Sequence, residues 1–569
     1  MNAFETKPWL AHYATGVPRE IQPPTDTLVD MIDAAIKDYR GRVALDFFGA
    51  ETTYRELGDQ ISRAAEGLRR LGVKAGDRVA IVLLNAPQHV VAFYAVLRLG
   101  AIAVEHNPLY TPRELRHQFE DHGATVAIVW DKVAHTVREF PQDIRVDAIV
   151  SVDLTRAMPL GKRLALRLPL PRARQARAAL TVKHPSKGVV AWETLVGGRR
   201  LRRAYPRPQI GDTAVLQYTS GTTGDPKGAI LSHYNLRSNA LQGEAWVPGL
   251  RKGREVFYGV LPMFHAYGLT LCLSFAMSMG ARLVLFPKFD EKLVLDAART
   301  VPPTFLPAVP PIYERLVKAA AQRGVSLRSV RFAISGAMNL PLATVERWES
   351  ATGGLLVEGY GMTESSPIVA GNPIGTSRRP GTVGVPFPST DIRVTDPDDP
   401  SIDRGFDEEG ELLIRGPQVF SGYWKRPDET AQVLLPDGWL RTGDIVRVSS
   451  DGFITVIDRI KELIITGGFN VAPSEVEDVL LTHPDVAEAA VVGIASERGG
   501  EDVVAAVVLN PGSGVDPATI REHCRSHLSA YKVPREIVVV EELPRSLIGK
   551  VLRREVRSRL TAARPSAEL

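Results

Sequence analysis

The segment Leu216-Gln-Tyr-Thr-Ser-Gly-Thr-Thr-Gly-Asp-Pro-Lys-Gly228 starts as an apolar strand. It continues into three glycines, the hydroxyls of Tyr218, Thr219, Ser220, Thr222 and Thr223, and the ammonium of Lys227. Glycines let backbone N–H groups approach an anion, hydroxyls donate to its oxygens, and a lysine adds charge, so the segment has the parts of a phosphate cradle. It is not a P-loop of the Gly-Lys-Ser/Thr type, because Lys227 is followed by Gly228. An ordinary nucleoside triphosphatase of that class is therefore disfavoured.

Upstream, Leu57, Ile61, Ala64, Ala65, Leu68 and Leu71 share one helical face and precede a strand-like run over 78–84. Two more cycles follow: a helix over 87–99 into apolar residues 101–104, and a helix over 112–122 into 125–130. Repeated helix and continuously apolar strand predict an α/β domain with a largely parallel sheet. Past about residue 450 the pattern changes. Strand-like runs at 452–458 and 461–466 precede a helix opening at Pro473; strands at 489–494, 503–509 and 536–540 alternate with helices at 517–530 and from 551. This predicts a small α+β domain, with the boundary near Arg459 separating residues 1–458 from 459–569.

The chain's 569 residues, 44% apolar and 24% charged, suffice for more than one buried core. The net charge is +4, but residues 156–207 hold 14 basic residues and one acid, a local +13 that leaves the remainder at −9. This is one basic patch on an otherwise acidic protein, so a nucleic-acid coat is not expected. Leu164, Leu166, Leu168 and Leu170 interleave with the arginines, and Pro169, Pro171 and Pro185 forbid one long amphipathic helix. A solvated loop and a dock for anionic lipid both fit. Cys272 and Cys524 have no metal-ligand or disulfide spacing, and the amino terminus lacks a secretory apolar run, so a reducing, cytoplasmic setting is expected. The 26 residues from Val256 to Ala281 lack Asp, Glu, Lys and Arg, but Gly259, Pro262, His265 and Gly268 interrupt them, favouring a buried, ligand-lining segment over a membrane span.

Thr219–Gly228 resembles the signature of the adenylate-forming superfamily of acyl-CoA synthetases, adenylation domains and luciferases. The likeness continues through Gly359-Tyr-Gly-Met-Thr-Glu364, Trp439-Leu-Arg-Thr-Gly-Asp444, Asp458-Arg-Ile-Lys-Glu462, Gly467-Gly-Phe-Asn470 and Pro544-Arg-Ser-Leu-Ile-Gly-Lys550, in the family's order. Lys7-Pro-Trp-Leu10, Gly16-Val-Pro18 and Asn107-Pro-Leu-Tyr-Thr111 look most like the long-chain fatty-acid–CoA ligases. The resemblance implies ATP, Mg²⁺ and coenzyme A as reactants and cofactor, and a large amino-terminal domain of α/β subdomains under a small mobile lid.

It implies roles for residues as well. ATP is expected against Thr219, Ser220, Gly221, Thr222, Thr223, Gly224, Lys227, Gly336, Ala337, Glu358, Gly359, Tyr360 and Gly361. Thr363 would meet the α-phosphate, Glu364 would hold the metal, and Tyr360 would stack on adenine. Asp444, with Arg459 beside it, would accept from the ribose hydroxyls. Lys550 would bridge carboxylate and α-phosphate, Lys461 would be the hinge, and Gly468 would line the pantetheine path. His265 and Tyr267 would gate the acyl entrance, with His265 also among the catalytic set.

The corresponding substrate segment, Leu261-Pro-Met-Phe-His-Ala-Tyr-Gly268, contains no acid to pair an ammonium, so an amino-acid substrate is disfavoured and a medium- or long-chain fatty acid expected. Ser335-Gly-Ala-Met-Asn339 departs from the family's commoner Ser-Gly-Gly-Ala-Pro, which leaves chain length open. Three alternatives stand beside the ligase: an acyl-AMP ligase loading a carrier protein, a ligase for aromatic or other acids, and a nonenzymatic nucleotide-binding module at a membrane.

Overall fold

Short β-branched runs such as Val79-Ala-Ile-Val82 and Val126-Ala-Ile-Val-Trp130 are buried along their whole length. Central parallel strands covered by helices on both faces require this. The computed structural model describes residues 3–184, 186–219, 226–466, 469–496, 500–546 and 549–563. The expected helix and strand cycles are present: helices Tyr54–Arg70, Pro87–Arg98 and Pro112–His122 alternate with strands Arg78–Val82, Ile102–Glu105 and Val126–Trp130. Two of these three helices open on reciprocal capping boxes, Thr53 with Glu56 and Thr111 with Glu114, which satisfy N–H groups that the first turn leaves unpaired.

Two large sheets form the body. The first has seven strands in the order 190–191, 148–152, 126–130, 78–82, 102–105, 213–218 and 228–232. All pair in parallel except the last, Gly228–Ser232, which returns antiparallel to Thr213–Tyr218. Thr219 and Lys227, which bound the phosphate loop, follow and precede these two strands at one end of the sheet. The second sheet has nine strands. Its central six, 43–47, 282–285, 256–259, 305–308, 332–335 and 355–361, are parallel, and antiparallel strands flank them. This sheet supplies Tyr360 from the end of the strand 355–361, and His265 and Gly336 from the segments that follow the strands 256–259 and 332–335.

Asn85 ties the two sheets together just past the strand Arg78–Val82. Its side-chain N–H groups donate to the carbonyls of Gly259 and Leu261 at 3.0 and 2.7 Å, and its oxygen accepts from the Met263 N–H at 2.8 Å. The side chain is buried, so all three bonds form away from water. The segment they fix leads directly into His265.

Residues 256–281 are a buried strand, Val256–Gly259, followed by helical turns from Ala266 to Ser278 that include a π-helical stretch, Leu269–Ser274. Among the described residues no helix is long and apolar enough to cross a membrane. A third, antiparallel sheet over 391–395, 409–415, 440–448 and 454–459 was not anticipated. Residues 452–458, read as the first strand of the new pattern, belong to it as its last strand. Beyond it lie a turn at Ile460–Glu462 and the α+β unit, in which strands 486–495, 501–509 and 536–539 carry helices Pro473–Leu481, Pro517–His527 and Arg553–Ala563.

Replacing Asn85 by leucine leaves two carbonyls and one N–H buried without partners. At roughly 1–3 kcal/mol for each orphaned group, a loss of about 3 kcal/mol or more is expected. It should be read as a lower urea midpoint with an unchanged slope for the body of the chain.

Candidate active site

Where the second sheet's strands end, a cavity opens. Its polar part is formed by Ser335, Gly336, Ala337 and the run from Glu358 to Thr363, and its apolar part by Gly243, Trp246, Val247, Leu271, Phe275 and Phe387. His265 and Tyr267 line the same cavity. Nine of the residues singled out from sequence, His265, Tyr267, Gly336, Ala337, Glu358, Gly359, Tyr360, Gly361 and Thr363, are thus brought to one place by three separate segments of the chain.

Their local settings follow from the backbone. Tyr267 donates its hydroxyl to the carbonyls of Ile334 and Ala308, at 2.8 and 3.2 Å, which pins its ring against the loop after Phe332–Ser335. A Cβ on Gly336 would stand 3.1 Å from that ring and 3.4 Å from the Gly359 carbonyl, so glycine permits the close approach. Ala337 adopts φ +66°, a left-handed conformation that favours glycine. The departure from the commoner Ser-Gly-Gly-Ala-Pro thus puts a side chain where the backbone is strained. His265 accepts from the Tyr267 N–H through Nδ1 at 3.2 Å, and burial pushes its imidazole down to about 4, leaving it neutral near pH 7. Burial pushes the Glu358 carboxyl up to about 8, opposed by a backbone hydrogen bond from Leu340, so it keeps its proton at neutral pH. Glu358 is the single acid among the described lining residues.

In the polar part, the Tyr360 hydroxyl donates to Asp444 Oδ2 at 2.5 Å, and Arg459 Nε lies 3.2 Å from Asp444 Oδ1. The pairing is set by the third sheet, where Asp444 and Arg459 face one another across adjacent strands. Lys550 enters from the small domain. Its loop is closed by the Ser546 N–H donating to the Lys550 carbonyl at 2.7 Å, and Gly549 comes near Pro311 of the large domain. Burial, then Arg459 and Arg553, push the Lys550 ammonium down to about 8, while Glu462 and Asp444 oppose the shift. The carboxyl-terminal lysine thus shares the electrostatic environment of Asp444 and Arg459, about a hundred residues earlier in the chain.

Glu364 is buried, and its Oε1 accepts from the Tyr423 hydroxyl at 2.7 Å. The Lys227 ammonium lies 5.1 Å over the Tyr423 ring and pairs with Glu429. The Thr219 N–H donates to the Lys227 carbonyl at 2.9 Å, which closes the neck of the phosphate loop. Ser220, Gly221, Thr222, Thr223 and Gly224 lie outside the described residues, as does Gly468. Lys461 sits in the turn Ile460–Glu462 between the third sheet and the small domain.

Sequence reasoning missed Tyr423, Glu429 and Arg553. Arg553 joins Glu462, Glu477 and Asp458, while Asp458 also accepts from the Ser474 N–H at 2.9 Å, so one ionic cluster spans the junction between domains. The run Gly422-Tyr-Trp-Lys-Arg-Pro-Asp-Glu429 carried a usable signal: a charged, aromatic, proline-containing loop beyond a strand.

Residues 32–424 match the family model described as AMP-binding enzyme, and residues 475–550 match that of the AMP-binding enzyme C-terminal domain. A long-chain-fatty-acid–CoA ligase of Yersinia pestis is 38% identical over 558 residues, covering 97% of this chain and 98% of that protein. One from Bacillus subtilis (strain 168) is 35% identical over 559 residues, covering 97% of each. The crystal structure of ATP-bound MatB from Rhodopseudomonas palustris superimposes with a TM-score of 0.81 at 28% identity, covering 93% of this chain and 98% of that one. With a full-length likeness and both domains matched, the chain belongs to the AMP-binding family of adenylate-forming enzymes and is most like its long-chain fatty-acid–CoA ligases.

Proposed function

We propose that this chain joins a medium- or long-chain fatty acid to coenzyme A in two steps at one cleft. In the first, a carboxylate oxygen bonds to the α-phosphorus of ATP and pyrophosphate leaves. In the second, the thiol sulfur bonds to the acyl carbon, AMP leaves and the thiol proton passes to solvent. The observation that supports this reading is that Lys550 feels the charges of Asp444 and Arg459, and that Asp444 is bonded to Tyr360, which lines a mostly apolar cavity.

The first step must bring two anions together, and fixed positive charge aimed at the reacting oxygens lowers that barrier most. Lys550 is proposed to lie between the carboxylate and the α-phosphate, with Thr363 donating to the phosphate and the loop from Thr219 to Lys227 holding the outer phosphates. Tyr360 would stack on adenine within the pocket formed by Gly336, Ala337, Glu358, Gly359 and Gly361, and Asp444 would accept from the ribose. The alkyl chain would run past His265 and Tyr267 toward Trp246 and Phe275. No ionised acid lines that path among the described residues, so a substrate ammonium would be buried unpaired.

The donor set at Glu364 suits Mg²⁺, which binds through one or two carboxylates and completes its shell with phosphates and water. Glu364 would hold it, with one oxygen fixed by Tyr423. The ion supplies charge neutralisation at the phosphates. For the second step the lid, residues 459–569, is proposed to turn about Lys461, withdrawing Lys550 and bringing Gly468 to the thiol path. We further place the chain in the cytoplasm, peripheral to the inner face of a membrane through residues 156–207.

The deciding experiment is fatty-acid-dependent ATP–pyrophosphate exchange, followed by addition of coenzyme A. Exchange and thioester are both expected; exchange without thioester would shift the acceptor to a carrier protein, and no exchange with any fatty acid would remove the ligase. Lys550→Ala should suppress exchange far more than conversion of supplied acyl-AMP to thioester. In the wild type, kcat/KM for ATP should fall as pH rises through about 8, where Lys550 loses its proton in the free enzyme. Tyr423→Phe, which frees the Glu364 carboxylate, should raise the Mg²⁺ concentration for half-maximal exchange by about tenfold.

A further inference from the structure

Residues 156–184 lie at the outer end of the seven-stranded sheet and are tied down at both ends. On the entering side Leu154 and Met158 are buried, and the Lys162 ammonium donates to the Phe48 carbonyl at 2.8 Å. On the leaving side the Trp130 indole donates to the Leu180 carbonyl at 2.8 Å and the Lys132 ammonium to that of Ala178 at 2.9 Å. The Asp131 carboxylate accepts from the Thr181 hydroxyl and from the Val182 N–H. Between these anchors stand two short helices, Leu160–Ala165 and Pro171–Leu180, and neither buries a single residue. The segment is an anchored platform rather than the free loop that its composition also allowed.

Leu160, Leu164, Leu168 and Leu170 are 67, 54, 49 and 56% exposed, a concentration of bare leucine within eleven positions. Beside them are Arg163, Arg167, Arg172, Arg174 and Arg177. Among the described residues no carboxylate lies within ion-pair distance of these five. Three of the flanking arginines differ: Arg156 pairs with Asp153, Arg200 with Asp59, and Arg207 with Asp30 and Asp33. A nucleic acid would pair with these arginines but leave the leucines in water. A surface that takes both at once is an anionic bilayer, whose phosphates meet guanidinium groups while its interfacial region accepts alkyl side chains.

We propose that Leu160, Leu164, Leu168 and Leu170 insert into the interface of an anionic phospholipid bilayer while Arg163, Arg167, Arg172, Arg174 and Arg177 pair with its phosphates. That this docking serves uptake of a fatty acid from the bilayer rests on the ligase reading above; the docking itself does not.

The test is co-flotation of the full-length chain with vesicles of phosphatidylcholine, with and without phosphatidylglycerol. Binding is expected only to the anionic vesicles and should weaken as salt rises. Two triple variants separate the components: Leu160→Ser with Leu164→Ser and Leu168→Ser, and Arg172→Gln with Arg174→Gln and Arg177→Gln. The arginine variant should lose about a hundredfold in partitioning, from roughly tenfold per 1.4 kcal/mol and about 1 kcal/mol per basic residue. The leucine variant should also lose binding at unchanged charge. Both should keep pyrophosphate exchange with a water-soluble fatty acid, which shows that they fold. Undiminished binding by the leucine variant would overturn insertion. Equal binding to neutral vesicles, tighter binding to RNA than to anionic vesicles, or no binding by the wild type would overturn the bilayer as partner. Vesicle binding without exchange would sink the ligase and leave the dock standing, and exchange without vesicle binding would do the reverse.

Discussion

A half-buried ammonium at Lys550 is the constraint on which the cleft depends. Taken out of water and set near Arg459 and Arg553, it is pushed down to about 8, and only Glu462 and Asp444 offset the repulsion. Burying an ammonium in this way costs stability unless an anion arrives. Two do so in the proposed reaction, the acyl carboxylate and the α-phosphate, so the buried charge becomes complementary when reactants fill the cleft.

The same electrostatic logic is distributed over elements remote in sequence. Asp444 and Arg459 are paired by strand register, Tyr360 reaches Asp444 from the second sheet, and Lys227 is held at Glu429 on the edge of Tyr423, whose hydroxyl fixes Glu364. Lys227 and the carboxylate proposed to hold Mg²⁺ are thereby linked through one aromatic side chain. The junction cluster of Asp458, Glu462, Glu477 and Arg553 couples the lid to the body at the place where it would have to turn. A hinge crossed by ionic contacts can exchange partners as it rotates, which packed apolar side chains do less readily.

The acyl side is governed by burial instead. The run from Val256 to Ala281 carries no Asp, Glu, Lys or Arg, and it forms a strand and helical turns buried in the body, fixed at one end by Asn85. His265 is neutral and Glu358 protonated near pH 7, because neither has a counter-charge that would offset its desolvation. A neutral, mostly apolar cavity next to a cationic cleft matches an amphiphile with a long tail and one carboxylate.

Local sequence determined the parallel-sheet body, the phosphate-loop composition and the lid's strands and helices, because continuous apolar runs, helical periodicity and glycine-rich turns act over a few residues. It did not reveal the third sheet, because charges such as Arg393, Glu409 and Glu411 interrupt its strands and the apolar run in Glu409–Arg415 is only Leu412, Leu413 and Ile414. Nor could it show that Tyr423 holds Glu364, that Arg553 spans the junction, or that five arginines beside four exposed leucines lack acidic partners among the described residues. Those facts are distances between segments tens to hundreds of residues apart, and only the packing of sheets and the crossing of the chain between domains decides them.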